Sequence, residues 1–284
     1  MIEPGCILTI VCPDRKGIVA AVSRFLFERD CNIVESTQFG DRETDKFFLR
    51  ILFSAGESAT IEALQREFAP IASSFAMSAS FHAETAKTRT LIMVSRLGHC
   101  LVDLLYRWRI GALPIDIAGV VSNHQDFADV AAAHGTPFHY LPIDKASKSR
   151  QEGALSAIVD AESVELIVLA RYMQILSPAF CRRMRGRVIN IHHSFLPSFK
   201  GARPYHQAHE RGVKLIGATA HYVTEDLDEG PIIEQGVERV THAMSPADLA
   251  AIGRDVETVV LARAVRWHAE HRVLLNGART VVLA

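Results

Sequence analysis

The apolar positions of the chain follow two different rhythms. Early on, CILTIVC reads as a strand that turns at Pro13 and Asp14, after which Ile18, Val22, Phe25 and Leu26 recur at the spacing of one helical face. NIVESTQF and KFFLRILFS form two strands around the polar turn DRETD, TIEALQREFAPIASSF a second helix, and MSASFHA a last strand. This β-α-β-β-α-β order is ferredoxin-like and predicts an α+β domain over residues 1–83. Residues 84–89, ETAKTR, are short and polar enough for a linker. From residue 90 to 284 the rhythm changes. TLIMVS, IDIAGVVSN, PFHYLPI, ELIVLA and RVINIHH are short apolar runs separated by helical segments, which predicts an α/β domain with a mostly parallel, Rossmann-like sheet covered on both faces. Ligands of such sheets sit beyond the carboxyl ends of the strands, and NIHH lies at one of these ends. A long helix from about residue 246 to 271 and a hairpin turning at the NG of RVLLNGARTVVLA close the chain.

The length of 284 residues suits two such units, and 49% hydrophobic with 22% charged residues is a globular composition. A net charge of −1 gives no long-range attraction to nucleic acid or to an anionic membrane, and no apolar run reaches the roughly 20 residues of a membrane span. The five cysteines, Cys6, Cys12, Cys31, Cys100 and Cys181, are odd in number and lack a C-x-x-C pair. They read as reduced thiols rather than a disulfide framework or a zinc cage. The expectation is a cytoplasmic protein with neither a nucleic-acid nor a membrane partner.

The stretch NIHHSFLPSFKGARPYHQA carries the candidate chemistry. Strand alternation sends Asn190 and His192 to one face and His193 to the other. An amide donor beside an imidazole is what acyl transfer needs, since the amide holds a developing oxyanion and the imidazole moves a proton. An isolated Asn-x-His is far more often a capped strand end, so the pair alone is a weak signal. In HYVTEDLDEGPII, the residues Glu225, Asp226, Asp228 and Glu229 crowd one loop. Asp228 stands out because the Glu-Gly-Pro that follows it tightens the loop and turns its carboxylate inward; the others read as solvated. Thirteen histidines invite a metal reading. Zinc catalysis, however, wants three convergent ligands, the His192 and His193 rings are expected to diverge, and no H-x-x-x-H helix is present. The sequence therefore predicts no metal.

Together with RYMQILSP, these two segments resemble the folate-dependent formyltransferase family, and the leading CPDRKGIVAAVS resembles an ACT domain. The combined resemblance covers nearly the whole chain. It implies Asn190, His192 and Asp228 as a catalytic trio. An ACT domain ahead of the formyltransferase-like part, with HHSFLPSF rather than HPSLLP, implies the members whose acceptor is water. The implied reaction is hydrolysis of 10-formyltetrahydrofolate to formate and tetrahydrofolate, with the folate as substrate and no cofactor. Residues 95–100, SRLGHC, retain one glycine of the loop with which the glycinamide ribonucleotide transformylases cradle a phosphate, which fits water as acceptor. Formyl transfer to glycinamide ribonucleotide and a silent folate- or amino-acid-responsive binding protein are the alternatives. The resemblance further implies that Met173, Ile175 and Leu176 line an apolar slot for the pterin, although a core turn explains them equally. His221 either orients Asp228 or is structural. His193, Lys200, Arg203, Tyr205 and His206 belong to the signature segment as a substrate loop. ACT modules pair edge to edge and hold a small amino acid near the loop after the first strand. This implies a homo-oligomer and an amino-acid effector at Asp14, Gly17 and Asn32, of which the last two serve equally well as turn and cap residues.

Overall fold

In the N-terminal part, β1 (Gly5–Pro13) occupies an inner position of a four-stranded antiparallel sheet. The order is β2 (Asn32–Asp41), β3 (Lys46–Ser54), β1 and β4 (Ser78–Ala83). The computed structural model describes residues 5–56, 60–143, 148–196 and 204–284. Helices α1 (Ile18–Phe27) and α2 (Ile61–Ser74) bury their apolar stripes, including Ile18, Val22, Phe25 and Leu26, in one core with Leu8, Ile10, Leu49 and Phe53. The Phe68 ring meets Phe25 and Phe81 edge-on at 5.0 and 5.5 Å. Gly17 starts α1 at φ +95°, a left-handed conformation that costs glycine little. This is the ferredoxin-like order expected.

The opposite face of β3 explains why KFFLRILFS is buried on both sides. Arg50, 3% exposed, donates from Nε to the Glu270 carbonyl at 3.0 Å, and Glu35 accepts from Arg50 at 3.4 Å and from Arg272 at 2.9 Å. The compact unit that runs up to Ala86 therefore also takes in Glu270–Asn276 and Thr280–Ala284. This corrects the expected boundary: most of the C-terminal hairpin, β12 (Val273–Asn276) and β13 (Arg279–Val282), belongs with the first sheet and not with residues 90–269. The hairpin does turn at Asn276 and Gly277, the glycine at φ +65°.

The second unit begins at Lys87, and β5 (Thr88–Val94) starts inside the expected linker, shortening it. Its strands are β5, β6 (Ile115–Ser122), β7 (Phe138–Tyr140), β8 (Leu166–Leu169), β9 (Val188–His192), β10 (Leu215–Tyr222) and β11 (Ile232–Arg239). They form one seven-stranded sheet in the order β11-β10-β9-β8-β5-β6-β7. The pairings from β9 to β7 are parallel, and β10 and β11 are added antiparallel. The inner strands β5 and β8 are almost wholly buried, as parallel strands between helical layers must be. The winding reverses at β5, which lies between β8 and β6; such a switch point opens a crevice at the carboxyl ends of the strands. The helices are α3 (His99–Arg109), α4 (Ala128–Ala133), α5 (Lys148–Ala161), α6 (Pro178–Arg183), α7 (Pro204–Glu210) and α8 (Pro246–Ala269). Helix α8 stops before the expected residue 271, where His271 takes φ +54°. Among the described residues no helix is long and apolar enough to cross a membrane.

Candidate active site

Strand register assembles the site. β9 pairs with β8 on one side, Asn190 beside Leu169, and with β10 on the other, where Asn190 faces His221 and His192 faces Thr219. Two side-chain anchors hold the flanking segments. Thr219 Oγ1 donates to the Ser194 carbonyl and accepts from the Leu196 amide, both at 3.0 Å, which fixes the chain just past His192. Ser95 Oγ accepts the Met173 amide at 3.0 Å and donates to Asn123 Oδ1 at 2.8 Å, which pins the loop after β8.

His221 Nδ1 donates to the Tyr222 carbonyl at 3.0 Å, so that nitrogen carries the proton. Its Nε2 is then an acceptor and receives the Asn190 amide at 3.2 Å. The contact sets which end of the Asn190 side chain is N–H₂. Asp228 Oδ1 lies 3.3 Å from His192 Nδ1 and 3.7 Å from His221 Nε2. Its carboxyl is held well below the usual carboxylate range, chiefly by the hydrogen bond from His192, against the opposing effect of burial. With Nδ1 engaged by Asp228, His192 Nε2 is buried without a hydrogen-bond partner among the described residues.

The loop between β10 and β11 turns Asp228 inward at φ +58°, while Glu225, Asp226 and Glu229 stay exposed. Gly230 makes this possible, because a Cβ there would come within 1.7 Å of the Tyr222 carbonyl oxygen. A cavity of about 250 Å³ opens on the trio, and Met173, Ile175 and Leu176 line its apolar side. Met173 and Ile175 are open to the cavity mouth, whereas Leu176 is buried in the core behind it.

The His192 and His193 rings do not diverge. β9 ends at His192, so strand alternation no longer governs His193, and the two rings stack at 4.9 Å. Burial, then the Arg171 guanidinium and His192, push His193 down to about 4, which keeps it neutral near pH 7. Tyr205 lies 6.5 Å from the His193 ring, His206 follows it in α7, and Lys200 and Arg203 fall outside the described residues.

Two residues that sequence reading passed over border this site. Arg171 lines the cavity, and Glu257 of α8 is a buried carboxylate behind it. A charged residue straight after the apolar run ELIVLA, and a lone acid within VETVVLARAV, were the available signals. His99, Cys100 and Glu257 could offer three ligand atoms within 4.8 Å of one another. The Arg171 cation 3.5 Å from the Glu257 carboxylate works against a dication there.

The expected effector residues do not converge within the chain. Asp14 follows Pro13, which pairs with Lys46, and Lys46 also pairs with Asp41; Asn32 instead pairs with Ser54, beside Gly5. At about 3.3 Å per residue the two ends of β1 lie roughly 25 Å apart, so Asn32 sits at the far end of the sheet from Asp14 and Gly17.

Comparison with known proteins places both parts of the chain in known families. Residues 88–265 match the formyl transferase family model and residues 7–69 the ACT domain model. The formyltetrahydrofolate deformylase of Corynebacterium sp. (strain P-1) is 52% identical, the match covering 98% of this chain and 97% of that protein. The crystal structure of the formyltetrahydrofolate deformylase of Burkholderia mallei ATCC 23344 superposes with a TM-score of 0.96 at 54% identity, covering 99% of this chain and 100% of the other. Glycinamide ribonucleotide transformylase 1 of Symbiobacterium toebii shares the fold over 72% of this chain and 97% of its own, with a TM-score of 0.66 and 31% identity. An Asn-His-Asp cluster on a switch-point sheet, an ACT domain ahead of it and full-length similarity to the deformylases lead to one conclusion: the chain belongs to the formyl transferase family.

Proposed function

We propose that the protein hydrolyses 10-formyltetrahydrofolate to formate and tetrahydrofolate, supplying both to one-carbon and purine metabolism. The observation that carries this reading is the His192–Asp228 pair, with His192 Nε2 lacking a hydrogen-bond partner among the described residues and Asn190 lining the same cavity. The folate enters as substrate, its pterin against Met173, Ile175 and Leu176. Water attacks the formyl carbon, and Asp228, ionised beside His192, orients it or accepts its proton. The developing oxyanion is stabilised by Asn190 Nδ2–H, whose orientation His221 sets. As the bond between the formyl carbon and N10 breaks, His192 in its imidazolium form delivers the Nε2 proton to N10, and exchange with solvent reprotonates the ring and resets the pair. Formate release from 10-formyltetrahydrofolate without acceptor, lost in Asp228→Asn, is the expected result. Turnover only when glycinamide ribonucleotide is added would make the protein a transferase, and silence in both cases a binding protein.

The domain matching the ACT model is read as regulatory, with a small amino acid as effector. β2 is a sheet edge with Val34 and Phe39 exposed, which supports edge-to-edge pairing with a second copy. Calorimetric titration with the twenty amino acids tests the effector, and no heat with any of them would leave a purely oligomerising module. Five free cysteines suit a reducing, cytoplasmic location.

A further inference from the structure

We infer that a buried network joining His99, Arg171, Tyr205 and Glu257 closes the acceptor side of the site to everything larger than water, and so decides between hydrolysis and transfer. The inference rests on the hydrolytic reading above. Its starting point is the switch-point crevice at the carboxyl ends of β5 and β8, where a sheet of this kind offers room for a second ligand. At that end of the sheet His99 and Arg171, which follow β5 and β8, are both drawn to Glu257. Glu257, 1% exposed, accepts from His99 Nε2 at 2.7 Å and from Tyr205 Oη at 2.9 Å, and it pairs with Arg171 Nη1 at 3.5 Å. A carboxylate so occupied is not available to hold or deprotonate an acceptor amine.

Two glycines show how closely the plug is packed. A Cβ at Gly253, in the middle of α8, would lie 2.0 Å from Tyr205 Oη, so the phenol rests directly on the helix backbone. Glycine inside a helix is unfavourable relative to alanine, and here its missing side chain is the space that Tyr205 uses. A Cβ at Gly98 would lie 2.2 Å from the Phe127 ring, which therefore packs against the start of α3, the position where an anionic acceptor would otherwise find free backbone N–H groups. The first residue of that helix, His99, is turned to Glu257 instead. The wall is continuous with the chemistry: Tyr205 borders His193, and His193 stacks on His192. Arg171 Nε, buried without a hydrogen-bond partner among the described residues, leaves a donor that a single water can satisfy.

The test offers the full-length enzyme a competing nucleophile, hydroxylamine, together with 10-formyltetrahydrofolate. In transfer the hydroxylamine nitrogen bonds to the formyl carbon, the bond from that carbon to N10 breaks, and the proton lost by nitrogen goes to N10. The products are formohydroxamate and tetrahydrofolate. The readout is the ratio of formohydroxamate to formate, which does not depend on total activity. Arg171→Gly removes the cation at a backbone of φ +65°, which glycine tolerates, and His99→Ser opens the start of α3 independently. In each, the ratio is expected to rise about tenfold or more over wild type, within the range that a single steric change gives. Tyr205→Phe keeps the ring in place and is expected to hold the wild-type ratio. Flat ratios in folded Arg171→Gly or His99→Ser enzyme, or efficient formohydroxamate formation by the wild type, overturn the network as the gate while formate release continues. No formate from the wild type overturns the hydrolytic reading, and the inference with it.

Discussion

His192 Nδ1 lies 3.3 Å from Asp228 Oδ1, and the backbone that presents this carboxylate is left-handed, with φ +58° at Asp228. Aspartate and asparagine are the non-glycine residues that tolerate this region best. Asp228→Asn should therefore keep the loop and remove only the charge. Turnover is expected to fall by about 10²-fold or more, with a melting temperature close to wild type. Asp228→Ala, less tolerant of the backbone, should lose melting temperature as well. Formate assays and thermal melts on the two variants side by side check this, and an active Asp228→Asn would remove the carboxylate from the chemistry.

Asn190→Ala removes one oxyanion donor and is expected to lower kcat by about 10² to 10³. His192→Ala removes the proton donor and should cost about 10² to 10⁴. KM for the folate should change little in both, because neither residue belongs to the apolar slot. Steady-state kinetics decide, and wild-type-like turnover in either variant would take that residue out of the mechanism.

Gly230 controls where Asp228 sits. A methyl group there meets the Tyr222 carbonyl oxygen at 1.7 Å, and a backbone atom inside the sheet cannot yield, so the loop must move. A displacement of about 1 Å at a reacting group can cost 10²-fold, and Gly230→Ala is expected to lose that much. Wild-type turnover in this variant would show that the loop adapts without moving its carboxylate.

Leu176 and Met173 separate packing from binding. Leu176 is 7% exposed and belongs to the core, so Leu176→Ala should cost about 2 to 5 kcal/mol of stability. Met173 is 58% exposed at the cavity mouth, and Met173→Ala should stay within about 0.5 kcal/mol of wild type while raising KM for the folate. Denaturant titration and kinetics on both variants test the division, which an unchanged KM in Met173→Ala would contradict.

Two buried histidines make stability depend on acid. Burial holds His268, which hydrogen-bonds Tyr222, at about 4, and His193 stands at about 4 for the reasons given above. The unfolded chain takes up these protons near pH 6.5, whereas the folded chain resists them down to about 4. Stability is therefore complete above about pH 6.5 and falls as the pH drops toward 4, by at most about 1.4 kcal/mol per pH unit for each group. Asp228 adds a loss of the same sign at lower pH, because its depressed carboxyl stabilises the fold only while ionised. Replacing His268 with Gln should lower overall stability but flatten the slope between pH 6.5 and 4. An unchanged slope would mean that His268 does not supply it.

Much of this molecule was legible in one dimension. The helical stripe of Ile18, Val22, Phe25 and Leu26 is the buried face of α1, and the continuous apolar runs TLIMV and LIVL are the inner parallel strands β5 and β8. These are local consequences of periodicity and of burial on one face or two. Asn190, His192 and Asp228 are grouped by the resemblance of their two segments to the formyltransferase family, since an Asn-x-His or an acidic loop alone has other uses.

The long-range features were hidden. Arg50 looks out of place in KFFLRILFS until Glu35, Arg272 and the Glu270 carbonyl surround it, and that pairing moves the C-terminal hairpin to the first sheet. The divergence expected of His192 and His193 failed because it assumed a strand that stops one residue earlier. The resemblance to ACT modules groups Asn32 with Asp14, yet an intervening helix returns the chain to the opposite end of the sheet. Glu257 and Arg171 lie far apart along the chain and acquire meaning only as a buried ion pair, since a carboxylate and a guanidinium must find each other once both leave water. Periodicity reports which face of an element is buried; the partner that meets a buried charge is set by packing between elements, and no local pattern encodes it.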